Sequence, residues 1–263
     1  MERKIVFFDI DGTLITERTH RLPESAVQAV LQARKNGHLM FINTGRTRYS
    51  IDPRLINLGF DGFVCGCGTN VFIGEKELFH REFSHEKGQE IIELARDCRV
   101  DILLEARDGV YFDWEHMVSR PCREQYGRFR DRGLEPRDWE SAPDMPFDKF
   151  VTWTRPDTDL QRFIRELSGD FAYIDRGQLS EFVPNGYTKA TGLQAVLDAY
   201  GLPLAAAYAI GDGNNDRPML DYVPGSIAMG NCRPASLRQC VSFVTKDIEA
   251  DGIRYALQHI GVI

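Results

Sequence analysis

The chain opens on a short, unbroken apolar run, Ile5-Val6-Phe7-Phe8, that stops at Asp9. Apolar residues without polar alternation predict a strand covered on both faces, as in the interior of a parallel sheet. Pro23-Glu24 then starts a helical pattern with Val27, Val30 and Leu31 on one face, and Gly37 ends it. His38 to Ile42 reads as a second strand that runs into Asn43-Thr44-Gly45, and Phe63-Val64-Cys65 as a third. The helix between them carries Pro53, which predicts a short or broken element. Strand, helix, strand, helix, strand predicts a doubly wound parallel sheet.

The texture changes near residue 80. A helix is expected over His85 to Cys98, and Asp108-Gly109 between two apolar segments (Asp101 to Glu105 and Val110 to Asp113) signals a hairpin. Arg120 to Arg132 has a polar helical pattern, followed by a turn-rich stretch with Pro136, Pro143 and Pro146. Phe150 to Thr154 reads as a strand, Asp157 to Leu167 as a helix, and Phe171 to Ile174 and Leu179 to Val183 as two further strands. Beyond Pro184-Asn185-Gly186 the alternation returns. A helix over Thr188 to Tyr200 leads to a strand over Ala206 to Ile210, a short helix over Asn215 to Tyr222, strands near Ser226 to Met229 and Val241 to Thr245, and a last helix over Glu249 to Ile260. The predicted fold is therefore α/β: a Rossmann-like, doubly wound core from residues 1–81 and 184–263, with residues 82–183 inserted as an α+β domain.

Composition narrows the setting. A net charge of −7 argues against non-specific nucleic-acid binding, and means that an anionic ligand must be met by a local positive site. No segment approaches the roughly 20 apolar residues of a membrane span. The apolar run before Asp9 is too short for a signal sequence, so a cytoplasmic protein is expected. The six cysteines form no dense framework and no Cys-x-x-Cys pair, and Cys65 and Cys67 read as buried residues sharing one face of a strand. The histidines show no metal-ligand spacing, and no Gly-x-Ser-x-Gly elbow is present.

Candidate chemistry lies at strand ends. Asp9-Ile10-Asp11-Gly12-Thr13 puts two carboxylates where a buried strand meets a glycine loop, the edge at which open α/β sheets bind ligands. Such carboxylates repel unless a cation or a shared proton intervenes, although a plain Asx turn has the same residues. Gly211-Asp212-Gly213-Asn214-Asn215-Asp216 follows another apolar strand. Its glycines suggest a dinucleotide loop, but Asp216 stands in place of the third glycine and would repel a pyrophosphate. Carboxylates and an amide there are hard oxygen ligands suited to Mg²⁺, and helix capping by Asn214 or Asn215 is the alternative. Thr44-Gly45-Arg46 offers a hydroxyl and free N–H groups to a phosphate, with a helix cap at least as good a reading, and Lys189 offers a cation, although a lone helical lysine is as a rule solvated.

In combination and in this order, Asp-x-Asp-Gly-Thr, Thr-Gly-Arg, Thr-Lys and Gly-Asp-x-x-Asn-Asp-x-x-Met-Leu resemble the haloacid dehalogenase (HAD) superfamily. The insertion between the second and third motifs resembles the type IIB cap of its Cof-like branch. The resemblance implies a phosphatase with Asp9 as nucleophile and Asp11 as general acid and base. It further implies Thr44, Gly45 and Lys189 around the transferring phosphoryl group, and Mg²⁺ held by Asp9, the Asp11 carbonyl and Asp212 with support from Asn215 and Asp216. The loop after Thr13 would be the flap of the family, and the inserted domain would set specificity. A small phosphorylated metabolite, such as a sugar phosphate, is the implied substrate. A phosphotransferase or mutase on the same site, and a non-catalytic phosphate-binding protein, are the competing readings. Thr188 replaces a frequent serine, and Cys65-Gly66-Cys67-Gly68-Thr69-Asn70 stands where relatives often carry Asn-Gly. The arginines at 120, 123, 128, 130 and 132 could greet an acidic substrate, but interleaved Glu124 and Asp131 favour a solvated helix face. Oligomeric state is not legible from the sequence.

Overall fold

A computed structural model describes residues 2–177 and 179–263; Met1 and Gln178, which fall within the predicted domain ranges, lie outside the described residues. The chain divides into two compact units, one of Met1–Gly45, Asp52–Phe79 and Tyr187–Ile263 and the other of Arg46–Ile51 and His80–Gly186. The sequence reading kept Arg46–Ile51 with the first segment of the core, whereas its contacts group it with the second unit.

In the first unit the early elements are β1 (Ile5–Phe8), α1 (Glu24–Lys35), β2 (Leu39–Asn43), α2 (Pro53–Asn57), β3 (Gly62–Cys65), β4 (Asn70–Ile73) and β5 (Lys76–His80). The second unit supplies α3 (His85–Cys98), β6 (Val100–Ala106), β7 (Gly109–Phe112), α4 (Arg120–Asp131), β8 (Arg137–Asp138), β9 (Lys149–Thr154), α5 (Leu160–Leu167), β10 (Phe171–Asp175) and β11 (Ser180–Pro184). The first unit resumes with α6 (Lys189–Tyr200), β12 (Ala207–Gly213), α7 (Arg217–Tyr222), β13 (Gly225–Arg233), β14 (Phe243–Val244) and α8 (Gly252–His259).

The core sheet runs β14-β13-β12-β1-β2-β3-β4-β5. Strand β1 pairs in parallel with β2 (Phe7 opposite Phe41) and with β12 (Phe7 opposite Ala209), so its apolar run is covered on both faces as its lack of alternation predicts. The sheet is not wholly parallel, however. Strand β4 turns back antiparallel on β3, with Cys65 opposite Asn70; periodicity did not reveal it because it is only four residues long, nor β5, whose residues at the edge are mostly polar and half-buried or exposed. Phe7, Phe41, Val64, Leu193, Val196, Leu197 and Ala209 form one apolar layer that fixes α6 against the sheet. Gly192 is required in that layer, because a Cβ there would meet Val64 Cγ1 at 2.4 Å. Of the predicted face of helix α1, Val30 is buried, Val27 is half-buried and Leu31 is exposed, and the small residues Ala26, Ala29 and Ala33 complete the buried side.

The second unit is a six-stranded sheet in the order β10-β11-β9-β6-β7-β8, antiparallel except for the β7–β8 pair. One face packs Ile91, Ile92, Leu104, Phe150, Phe163 and Phe182 with Trp139, whose indole N–H donates to Gln89 Oε1 at 2.9 Å. The other face packs Leu103, Phe112, Phe129, Val151 and Trp153, with Tyr49 at its margin. Alternation along β6 and β9 accounts for both faces. Helix α5 starts later than its periodicity suggests, because the Asp159 carboxylate accepts the Arg162 N–H at 3.1 Å and caps the helix there.

Candidate active site

Strands β1, β2 and β12 run in parallel, so the residues after their carboxyl ends share one edge of the sheet. Asp9 follows β1, Thr44 and Gly45 follow β2, Asp212 lies near the end of β12, and Lys189 opens α6. Lys189 is fully enclosed, and its ammonium donates to Asp9 Oδ1 at 2.6 Å and to Asp216 Oδ1 at 2.5 Å. One carboxylate oxygen from each of Asp9, Asp212 and Asp216 falls within 4.8 Å of the others. Of the residues predicted from sequence, Asp9, Lys189, Asp212 and Asp216 are thus gathered in one buried cluster.

Three carboxylates face one ammonium, and the electrostatics record the imbalance. Burial, then Asp216, pushes the Asp9 carboxyl up to about 7, against the lowering effect of Lys189, and the nearby Asp11 adds to the rise. Burial, then Asp9 and Asp216, pushes Asp212 up to about 9. Burial alone would lower the Lys189 ammonium, but Asp216 and Asp9 hold it well above its usual value. A buried group of hard oxygens whose ionisation is opposed by its neighbours fits a divalent cation, which would take the place of protons. Removing the lysine charge removes the internal compensation. The expected result for Lys189→Met in metal-free protein is a loss of about 3–5 kcal/mol of stability, measured by denaturant unfolding.

The loop chemistry explains why these residue types recur at this spacing. Asp216 turns back beneath its own loop, where Oδ2 accepts the N–H groups of Asp212 (2.8 Å) and Gly213 (2.9 Å). Its carboxylate therefore shapes the loop as well as holding Lys189. Gly211 leaves room for it, since a Cβ there would lie 2.5 Å from Asp216 Cγ. Gly12 has φ +75°, and a Cβ would meet Asp212 Oδ2 at 2.1 Å. Both the left-handed backbone and the carboxylate demand glycine. Gly12→Ala is expected to displace Asp212 and cut turnover by about a hundredfold with the fold retained, checked by steady-state rates beside circular dichroism.

Asn215 sits on the short turn Asn214–Asp216, where its Oδ1 would lie 2.6 Å from a Cβ at Gly213. Asp11 is half-buried beside Asp9. Thr44 and Gly45 are buried; the Thr44 N–H donates to Val64 O at 2.9 Å and its carbonyl accepts from Cys67 N at 3.0 Å. Sequence reading passed over two supporting residues. Asn43 Nδ2 donates to the Lys189 carbonyl at 2.9 Å and so ties the start of α6 to the end of β2. Asn231 Nδ2 donates to Gly12 O at 2.7 Å while its Oδ1 accepts from Ile248 N at 3.0 Å. Cys67 is not a strand residue as expected. Strand β3 ends at Cys65, and Gly66, Cys67 and Gly68 all have left-handed backbone, which turns the chain and brings the Cys67 thiol near enough to affect Lys189. An asparagine closing the apolar run of β2 was the available signal for Asn43, and one two residues beyond the apolar run Ile227–Met229 for Asn231.

A parallel sheet with carboxylates at its carboxyl edge around a buried lysine defines a class of enzyme. The chain belongs to the haloacid dehalogenase-like hydrolase family, whose model matches residues 6–257. Among its relatives, the "Putative phosphatase YkrA" of Bacillus subtilis (strain 168) is 28% identical over 275 aligned residues and spans 100% of both chains. The 5-amino-6-(5-phospho-D-ribitylamino)uracil phosphatase YitU of the same organism is 25% identical, with 96% of each chain covered. A solved structure of a hypothetical protein from Geobacillus kaustophilus HTA426 superposes with a TM-score of 0.83 at 26% identity over 100% of both chains. The HAD subclass IIB sugar phosphatase BT4131 shares the fold, with a TM-score of 0.83 at 24% identity over 99% of this chain and 100% of that one.

Proposed function

We propose that this HAD-family phosphatase is a Mg²⁺-dependent hydrolase of small phosphate monoesters that passes phosphate through Asp9. The observation that carries the reading is the buried cluster of Asp9, Asp212 and Asp216 around Lys189, with Asp9 and Asp212 held far from their ordinary protonation. Asp9 and Asp212, with the Asp11 carbonyl, would hold the ion, and Asn215 and Asp216 would support them. When bound, Mg²⁺ offsets the repulsion between an anionic nucleophile and an anionic phosphoryl group.

The chain's own residues then divide the work. Lys189 engages Oδ1 of Asp9, which leaves Oδ2 as the attacking oxygen. As the bond from Oδ2 to phosphorus forms, the bond to the leaving alkoxide breaks, and Asp11 gives that alkoxide a proton. In the second half-reaction Asp11 takes a proton from water. The water oxygen joins phosphorus, the aspartyl–phosphate bond breaks, and phosphate leaves with Asp9 restored. Thr44, the Gly45 backbone and Lys189 hold the phosphoryl oxygens in transit. The inserted unit, residues 82–183 by the sequence reading, selects the substrate. Sugar phosphates and related metabolites are the substrate class, consistent with phosphorylated substrates in the names of relatives.

A panel of sugar phosphates, sugar-acid phosphates, nucleotides and cofactor phosphates tests this with Mg²⁺ present. Release of inorganic phosphate from at least one class is expected. Isomerised product without free phosphate would overturn hydrolysis, and inertness toward the whole panel would overturn the enzyme reading.

A further inference from the structure

One buried side chain next to the carboxylate cluster uses only half of its hydrogen-bonding capacity. Asn43 is the last residue of β2 and is 0% exposed. Its Nδ2 donates to the Lys189 carbonyl at 2.9 Å, while its Oδ1 has no hydrogen-bond partner. Turning the amide over does not cure this, because two acceptor oxygens would then face each other with no donor between them. Buried polar atoms in native proteins are nearly always satisfied, so an orphan kept inside the first unit needs a reason.

The register of the sheet supplies one. Phe8 stands opposite Ile42 in the parallel pair β1–β2, so the residues that follow, Asp9 and Asn43, are neighbours on adjoining strands. Phe7 and Phe41, two residues earlier, both enter the apolar layer beneath α6. Alternation places Asp9 and Asn43 on that same face, toward the helix that Lys189 opens. An apolar side chain at 43 would extend the layer and leave no orphan. The amide brings its unsatisfied oxygen with it, and what it adds in return is a donor to the Lys189 main chain.

That donor acts on the charge at the centre of the site. The Lys189 ammonium bonds Asp9 and Asp216 at 2.6 and 2.5 Å, which commits two of its three N–H donors and leaves the third for a phosphoryl oxygen. A lysine head rides on a flexible four-carbon stem, so its position depends on where the main chain is anchored. The first turn of α6 is shaped from within by the Thr188 hydroxyl, which accepts the Thr191 N–H at 3.2 Å. Asn43 instead ties that turn to the strand beside Asp9. We propose that Asn43 is a positioning residue for phosphoryl transfer: by holding the Lys189 carbonyl it sets where the ammonium stands between Asp9 and the phosphoryl oxygens. It works through Lys189 and needs no contact with substrate. The assignment rests on the phosphatase reading.

Steady-state rates with Mg²⁺, on the best ester of the panel, compare the wild type with Asn43→Leu, which keeps the size and loses the donor, and Asn43→Ser, which loses size and keeps a hydroxyl donor. Asn43→Leu should lower kcat by about 30-fold with KM within about threefold, since a misplaced charge is felt mainly in the transition state. Asn43→Ser should recover kcat to within about fivefold of wild type, through a direct or water-bridged bond to the carbonyl. Thermal melts should run in the opposite order, with Leu above Ser, because leucine fills the apolar layer and serine leaves a void. A residue that only packs would rank both quantities alike. Added to Lys189→Met in Mg²⁺-saturated protein, Asn43→Leu should cost no more than about twofold further, because its effect passes through the lysine. A kcat for Asn43→Leu within twofold of wild type, a loss confined to KM, or a kcat order that follows the melts would overturn the assignment and leave the phosphatase reading standing. A wild type inert toward the whole panel would overturn the phosphatase reading and this assignment with it.

Discussion

Asp9→Asn is expected to lower phosphate release by about 10⁴-fold or more without unfolding the protein, because it removes the group to which phosphorus must bond. Asparagine is isosteric, and its amide oxygen can still accept the Lys189 ammonium that now reaches Oδ1 at 2.6 Å. What it lacks is a second anionic oxygen. The structural cost should be small for a specific reason. Burial and Asp216 already oppose ionisation of Asp9, so exchanging it for a neutral group relieves part of that strain. The metal-free melting temperature of the variant should therefore not fall below that of the wild type. Rates on the best ester of the panel, paired with thermal melts, give both numbers. Residual turnover within tenfold of wild type would remove Asp9 from the chemistry, whereas a collapsed melt would show that its role is structural.

Much of this arrangement was legible because each feature leaves a mark in the linear pattern. Unbroken apolar runs located β1 and β2, and the strand ends marked Asp9 and Thr44 without any knowledge of contacts. Glycines at 12 and 211 stood in the motifs as letters. Only the packing shows that one avoids the Asp212 carboxylate and the other the Asp216 side chain. The edge strand β5 escaped because an edge needs no apolar alternation, and β4 because four residues are too few to show a period. Cys67 was misplaced because a left-handed turn of Gly66, Cys67 and Gly68 continues the spacing of a strand while leaving its geometry. Arg132 was hidden for a different reason. Its neighbours on α4 really do face solvent, and only the fold brings this one guanidinium to Ser50.

Magnesium should protect the protein most strongly at alkaline pH, and the sign follows from the carboxylate cluster. Unfolded aspartates titrate near 3.9, while burial raises Asp9 to about 7 and Asp212 to about 9 in the folded, metal-free protein. Between these limits the native state holds more protons than the unfolded state. The free energy of unfolding must then fall as pH rises from about 4 toward 9. A cation that replaces those protons removes the loss, and its binding releases them, so it competes poorly at low pH. At a hundred times its Kd a ligand adds about 2.7 kcal/mol, which for a chain of this size corresponds to roughly 5–10 °C in Tm. The expected melts therefore decline in EDTA between about pH 5 and pH 8.5, rise by that amount with Mg²⁺ at pH 8.5, and move little with Mg²⁺ at pH 5. Asp212→Asn should remove the part of the decline above about pH 7, leaving only the Asp9 contribution below it, and should abolish the Mg²⁺ shift, because the Asp212 carboxylate contributes to both effects. A Mg²⁺ shift of equal size at the two pH values, or one that survives Asp212→Asn, would place the ion elsewhere than between Asp9 and Asp212.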